Sequence, residues 1–183
     1  MLNLKKENQL IKVKGSKFMY GWMLLATFGA LAASVFLILN GFKFESKYSL
    51  IYISGGFVFL PVFLYLTLWS LPGFIPGKIL FILKEGVNGS VITKKRKILF
   101  NEILNLAFVR NPVNLINDII IESIDGKITK ICTYNLIDDT DFAVLVDKYV
   151  YPNMREDAKA VWDRQVNLSE LYQHAKYERK TDI

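Results

Sequence analysis

The chain has 183 residues, 52% of them apolar, one cysteine and a formal charge of +6. With Cys132 alone, an internal disulfide is excluded, and one His rules out a His-rich metal site. The basic excess is uneven: residues 1–17 carry +4, the Phe42–Tyr48 link +1, residues 78–110 +5 and residues 111–183 −4. Lysines that flank apolar runs, with an acidic remainder, fit an anionic lipid surface and argue against nucleic acid as partner.

From the start, residues 1–17 read as a basic cytoplasmic tail, with Lys5, Lys6, Lys12, Lys14 and Lys17 against Glu7. Residues 18–77 follow as an apolar unit. Neither Phe18–Phe42 nor Tyr48–Gly77 contains Asp, Glu, Lys, Arg or His. A helix rises about 1.5 Å per residue, so about 20 apolar residues cross a hydrocarbon core of roughly 30 Å. The two runs predict a transmembrane helical hairpin with spans near 20–40 and 50–71. Tyr20 and Trp22 on one run, and Tyr65 and Trp69 on the other, suit the headgroup layer. The lysine-richer flanks put both termini in the cytoplasm, in a multi-pass protein of the inner membrane.

A cleaved signal peptide is the competing reading, since Ala30-Leu31-Ala32 follows a basic start and an apolar stretch. The run continues through Val35-Phe36-Leu37-Ile38-Leu39, longer than a cleaved apolar region, and an uncleaved anchor is expected. Within the spans, Ala26 with Ala30 and Gly29 with Ala33 are four apart, and Gly55 and Gly56 offer a counterpart. Such spacing lets helix backbones approach in lipid, within the hairpin, with a second copy, or with another membrane protein. Pro61 is expected to kink the second span.

Leu71-Pro72-Gly73-Phe74-Ile75-Pro76-Gly77 ends the apolar unit. Residues 78–151 then predict strands at Lys78–Leu83, Ser90–Thr93, Ile98–Phe100, Ile103–Val109, Asp118–Ser123 and Lys127–Thr133. The turns are Asn88-Gly89, with residues that tolerate positive φ, then Lys94-Lys95-Arg96-Lys97, the loop around Pro112, and Asp125-Gly126. The period changes after Asp139-Thr140-Asp141, which can cap a helix carrying Phe142, Leu145, Val146 and Tyr149. Residues 152–183 read as a helical extension, with helices near Met154–Arg164 and Leu168–Tyr177. Asn153/Glu156 and Asn167/Glu170 are capping pairs.

The stretch Gly86-Val87-Asn88-Gly89-Ser90-Val91-Ile92-Thr93-Lys94-Lys95-Arg96-Lys97-Ile98-Leu99-Phe100-Asn101-Glu102-Ile103 resembles the bacterial pleckstrin-homology-like (PH-like) pattern. There a glycine turn, a strand, a basic turn and an apolar strand close on an acidic-Ile pair. The resemblance implies an α+β membrane protein of the two-span bacterial kind. A PH-like antiparallel β-sandwich or barrel would follow the hairpin, capped by a C-terminal helix, with extra helix beyond. Another α+β meander with a capping helix is the alternative fold.

The resemblance also implies that Lys94, Lys95, Arg96 and Lys97 grip anionic lipid phosphates, each charge contributing about 1 kcal/mol. A solvated turn is the plainer reading of such a run. No P-loop, G-x-G-x-x-G or G-x-S-x-G motif occurs, and Asp138-Asp139-Thr140-Asp141 lacks the ligand spacing of a calcium loop. The expectation is a non-enzymatic membrane protein, without cofactor or metal, whose water-side domain binds a protein partner or anionic lipid. The alternative is an accessory or immunity-type protein that meets a toxin or secretion component through its spans.

Overall fold

A computed structural model describes residues 3–179. It opens with a β-hairpin: β1 (Asn3–Glu7) pairs antiparallel with β2 (Leu10–Lys14), through a turn in which Asn8 has φ +54°. The stretch read as a basic tail is therefore two strands of a sheet. Ile11 and Val13 alternate with Lys12 and Lys14, which is strand periodicity, and both apolar side chains are fully buried. Lys12 and Lys5 turn outward and pair with Glu7.

The first long helix follows as α1 (Lys17–Leu24), one π-helical turn (Leu25–Gly29) and α2 (Ala30–Gly41). The second, α3 (Ser49–Ser70), runs unbroken through Pro61 into a 3₁₀ turn, Leu71–Phe74. The irregular turn is thus in the first helix, not at the proline. Lys17–Gly41 and Ser49–Phe74 are 25 and 26 residues, long and apolar enough to cross a membrane. They pack on each other through small residues. A Cβ added at Gly56 would lie 2.5 Å from Ile38 Cγ1 and 2.9 Å from the Ser34 carbonyl, and one at Gly41 would lie 2.5 Å from Ile53 Cγ1. Thr27, Ser34, Ser49, Thr67 and Ser70 are buried along the same seam. The hydroxyls of Thr27, Ser34, Thr67 and Ser70 each donate to the carbonyl four residues earlier, so no polar atom is stranded.

The chain then returns to the sheet. β3 (Ile79–Lys84) pairs with β2, and β4 (Ser90–Ile92) and β5 (Lys97–Leu99) extend the order to β1-β2-β3-β4-β5. The two apolar helices are an insertion between paired strands β2 and β3. The β3–β4 turn takes its positive φ at Gly86 (+107°), not at Asn88-Gly89; Gly89 is small because the Phe100 ring lies 2.3 Å from where its Cβ would be. β6 (Ile103–Arg110), β7 (Asn117–Ser123) and β8 (Ile128–Cys132) form a second antiparallel sheet. Asp125-Gly126 makes the β7–β8 turn, with Gly126 at φ +72°. The two sheets stay separate, and no barrel is closed.

α4 (Asp139–Leu145) begins at Asp138, whose carboxylate accepts from the Asp141 amide at 2.6 Å. It continues through a π-helical turn, Val146–Val150. Phe142, Leu145, Val146 and Val150 join Phe81, Leu83, Val91, Ile119 and Ile121 in one core between the sheets. The first helix after Pro152 is part of that core, not an appendage. α5 (Glu156–Gln165) buries Ala158 and Trp162, and the Trp162 ring meets Phe142 edge-on at 6.0 Å. α6 (Leu168–Ala175) is capped by Asn167 and buries Leu171. Asn153 makes no cap; α5 starts at Arg155 without a side-chain bond.

Candidate functional site

The Thr93 side chain shapes the basic turn between β4 and β5: its hydroxyl accepts from the Lys95 and Arg96 amides at 3.2 and 3.1 Å and donates to the Arg96 carbonyl. The turn does not present four equivalent cations. Arg96 folds back, three-quarters covered, with Nη2 3.4 Å from Ser123 Oγ and 3.6 Å from Asp125 Oδ2, so it ties the two sheets together. Lys97 is exposed but lies outside the groove. Lys94 and Lys95 line a groove of about 330 Å³ together with Lys78, Thr93, Lys130, Cys132 and Tyr134.

Four lysines in one groove need a reason not to repel. Lys130 has one, an ion pair at 2.7 Å with the buried Asp118 carboxylate. Lys78 donates to the Pro72 carbonyl and stands 3.8 Å from the centroid of the Tyr134 ring. Burial, and then the nearby Lys94 charge, hold the Lys78 ammonium below the usual lysine range. A bound anion would relieve both costs. Cys132 and Tyr134 also line a second, apolar groove of about 320 Å³, whose other walls are Leu68, Trp69 and Pro72 at the end of the second apolar helix. Burial also raises the Cys132 thiol, which leaves it a poor nucleophile. The arrangement suits an amphiphile with an anionic head.

Of the small residues expected to pack helices, Gly56 sits at the contact. Ala26 and Ala33 point outward, Gly29 and Ala30 are half-covered, and Gly55 faces open space. The seam between the helices is instead made by Ser34, Gly41, Ser49 and Gly56 with Thr27, Thr67 and Ser70. Spacings of seven (Thr27, Ser34, Gly41 and Ser49, Gly56) were the overlooked signal.

A second polar cluster escaped sequence reasoning altogether. Asp147, in the π-helical turn after α4, is fully buried. Arg179 Nε donates to both of its oxygens at 3.0 Å, and Trp162 Nε1 donates at 3.1 Å. Arg179 also reaches Asp163 at 2.6 Å and stacks 3.9 Å from the Tyr151 ring. These partners raise the Arg179 guanidinium further, against the opposing effect of burial, while burial and the Asp147 charge push the Tyr177 phenol up. The cluster latches the C-terminal segment to the core. The nearest signal, an aspartate on the buried stripe of an amphipathic helix, names no partner until the fold brings residue 179 back. His174 is exposed on α6, and among the described residues no group of three potential metal ligands occurs.

Comparison with known proteins gives a family and no chemistry. A pattern described as a family of unknown function, DUF5381, matches residues 9–172, from β2 into α6. An uncharacterized lipoprotein of Bacillus subtilis (strain 168), YfjD, is 32% identical over 183 aligned residues, covering 93% of this chain and 99% of that one. An uncharacterized protein of the same organism, YfjE, is 34% identical over 145 residues, covering 73% of this chain and 95% of its own length. No solved structure matches. With almost the whole fold inside the matched region, the chain belongs to the DUF5381 family.

Proposed function

We propose that this is a non-enzymatic, two-span protein of the inner membrane whose water-side domain binds an anionic phospholipid in the Lys78/Lys94/Lys95 groove. The observation that carries it is a lysine-lined groove that shares Cys132 and Tyr134 with an apolar one at the end of an apolar helix. A phosphate would meet the lysines while an acyl chain lay along Leu68 and Trp69.

The hairpin supports a membrane setting. Thr27, Ser34, Ser49, Thr67 and Ser70 are buried and large apolar residues such as Phe36, Leu39, Leu50 and Val58 are exposed, the reverse of a core helix in water. Pairing of β2 with β3 supports both flanks of the hairpin lying on one side, and the lysine excess favours the cytoplasm as that side. Signal cleavage after the first helix would remove β1 and β2, and with them core residues Ile11 and Val13. Nor does the first helix offer a cysteine for lipid attachment, since the one cysteine is Cys132 in β8. Strands β2–β8 followed by α4 support the PH-like reading, with the hairpin inserted between its first two strands instead of preceding it.

Native mass spectrometry of the detergent-purified full chain tests the lipid reading. Phosphatidylglycerol should be retained over phosphatidylcholine. Lys78→Gln and Lys94→Gln should each weaken retention several-fold, since a lysine near a lipid phosphate contributes about 1 kcal/mol. Equal retention of the two lipids, or variants that bind as the parent does, would overturn it.

A second reading rests on the outward placement of Ala26 and Ala33, with half-covered Gly29 between them and Gly55 facing open space, which leaves a small-residue face for another membrane protein or a second copy. Crosslinking in membranes that is abolished by Gly29→Leu would favour it; crosslinks indifferent to that change would remove it.

A further inference from the structure

The loop between β6 and β7 is tightly built, yet it displays apolar side chains. Asn111 accepts from the Leu115 amide through its carbonyl at 2.9 Å and from the Val113 amide through its side chain at 2.9 Å. The Asn111 amide donates across the loop to the Ile116 carbonyl, and Ile116 itself is buried. So fixed, Val113 is 71% exposed, Val109 48% and Leu115 40%, with Arg110 exposed beside them. Leu115 holds φ +56°, a left-handed conformation that a branched apolar residue rarely adopts. In water, this arrangement strains the backbone in order to expose hydrocarbon.

The position of the loop supplies the reason. Its carbonyl at Leu115 accepts from Asn135 Nδ2 at 3.0 Å, and the Asn117 amide donates to Asn135 Oδ1 at 2.7 Å. Asn135 belongs to a strap, residues 134–136, that crosses the base of the helical hairpin. Leu136 O accepts from the Ser16 amide at 2.8 Å, where the first helix begins, and Tyr134 packs on Gly73, where the second ends. Tyr134 and Asn135 also hold positive φ, both +54°. The loop is therefore bonded to a segment that touches both apolar helices at their domain end. A headgroup layer is about 5–7 Å thick on each side of the hydrocarbon, a depth that one or two residues span.

We propose that residues 109–115 form a third membrane contact, with Val113 and Leu115 inserted among lipid headgroups and upper acyl chains and Arg110 beside the phosphates. This rests on the membrane reading above and adds a surface outside the lysine groove. It would hold the domain in one orientation, with the mouth of the groove against the bilayer.

Spin labels on the full chain, reconstituted in phosphatidylcholine–phosphatidylglycerol vesicles, test it. Cys132→Ala clears the background, and single cysteines replace Val113, Val58 in the middle of α3, and Val87 in the β3–β4 turn. Val87 is 89% exposed at the far end of a six-residue strand that leads away from the hairpin. Accessibility to oxygen relative to an aqueous nickel chelate should be high at 58, low at 87 and several-fold higher at 113 than at 87. A label at 113 that matches 87, with 58 in lipid, overturns the inference and leaves the membrane reading standing. So does a label at 113 shielded from both reagents, which would mark a protein contact. A label at 58 that reads as water overturns the membrane reading itself.

Discussion

The hairpin and the domain are built from the same residue types turned inside out. Between the helices the buried positions are Thr27, Ser34, Gly41, Ser49, Gly56, Thr67 and Ser70, while Phe36, Leu39, Phe57 and Val58 look outward. In the domain Ile11, Leu83, Ile98, Phe100, Ile121 and Leu145 are buried, and lysines and carboxylates cover the surface. Burial of apolar surface drives assembly only where water is the alternative. Where lipid replaces water, close backbone approach and satisfied hydroxyls decide the contact instead. By the same contrast one valine is buried at position 13 and another is exposed at position 58.

The largest expected departure from this pattern concerns the charge buried in the domain. Arg179→Met should leave the Asp147 carboxylate without its counter-charge and cost about 3–5 kcal/mol, read as a shifted urea midpoint for the domain. A midpoint within error of the parent would show that the latch is only a surface tether. Next, Ile11→Ala should cost about 2–5 kcal/mol by cavity formation, although it lies in a segment whose lysines mimic a tail. If residue 11 tolerates alanine, the first two strands are not part of the domain core.

In the hairpin the decisive variable is size. Gly56→Leu should force the helices apart and cost about 1–3 kcal/mol, whereas Gly55→Leu, one residue along, should be silent. Comparing the resistance of the two variants to unfolding in denaturing detergent measures this; equal effects would contradict the seam described here. The smallest effect belongs to an exposed surface charge. Glu7 is held down to about 2, mainly by hydrogen bonds from Lys12 and then Lys5. Its folded-state pKa is depressed, so its contribution is present above the ordinary carboxylate range and fades as pH falls through about 2. Thermal stability of the parent should therefore converge on that of Glu7→Gln between pH 5 and 2; parallel curves would contradict the pairing.

The β-strand order from residue 79 onward was legible because turns and alternation are local: Asp125-Gly126 carries its own hairpin. The strand at 10–14 carried the same alternation, but next to an apolar helix its lysines read as membrane flank. Pairing between residues 13 and 81 cannot be heard in either segment alone. The groove was half legible. Lys94 and Lys95 stood out as a run, Arg96 left it for Ser123 and Asp125, and Lys78 and Lys130 joined from positions 16 and 36 residues away from Lys94.

What the sequence determined by itself is what depends on neighbours a few residues apart: two helices long and apolar enough to cross a membrane, the turns, the helix starts at Asp138 and Asn167, and the sign of the charge on each flank. The tertiary structure alone decided which cations share a groove, that the hairpin interrupts a sheet, that Asp147 waits for Arg179, and which face of each apolar helix is the inner one. Those outcomes rest on contacts between residues tens of positions apart. Such contacts acquire their energy only when burial removes water from both partners at once.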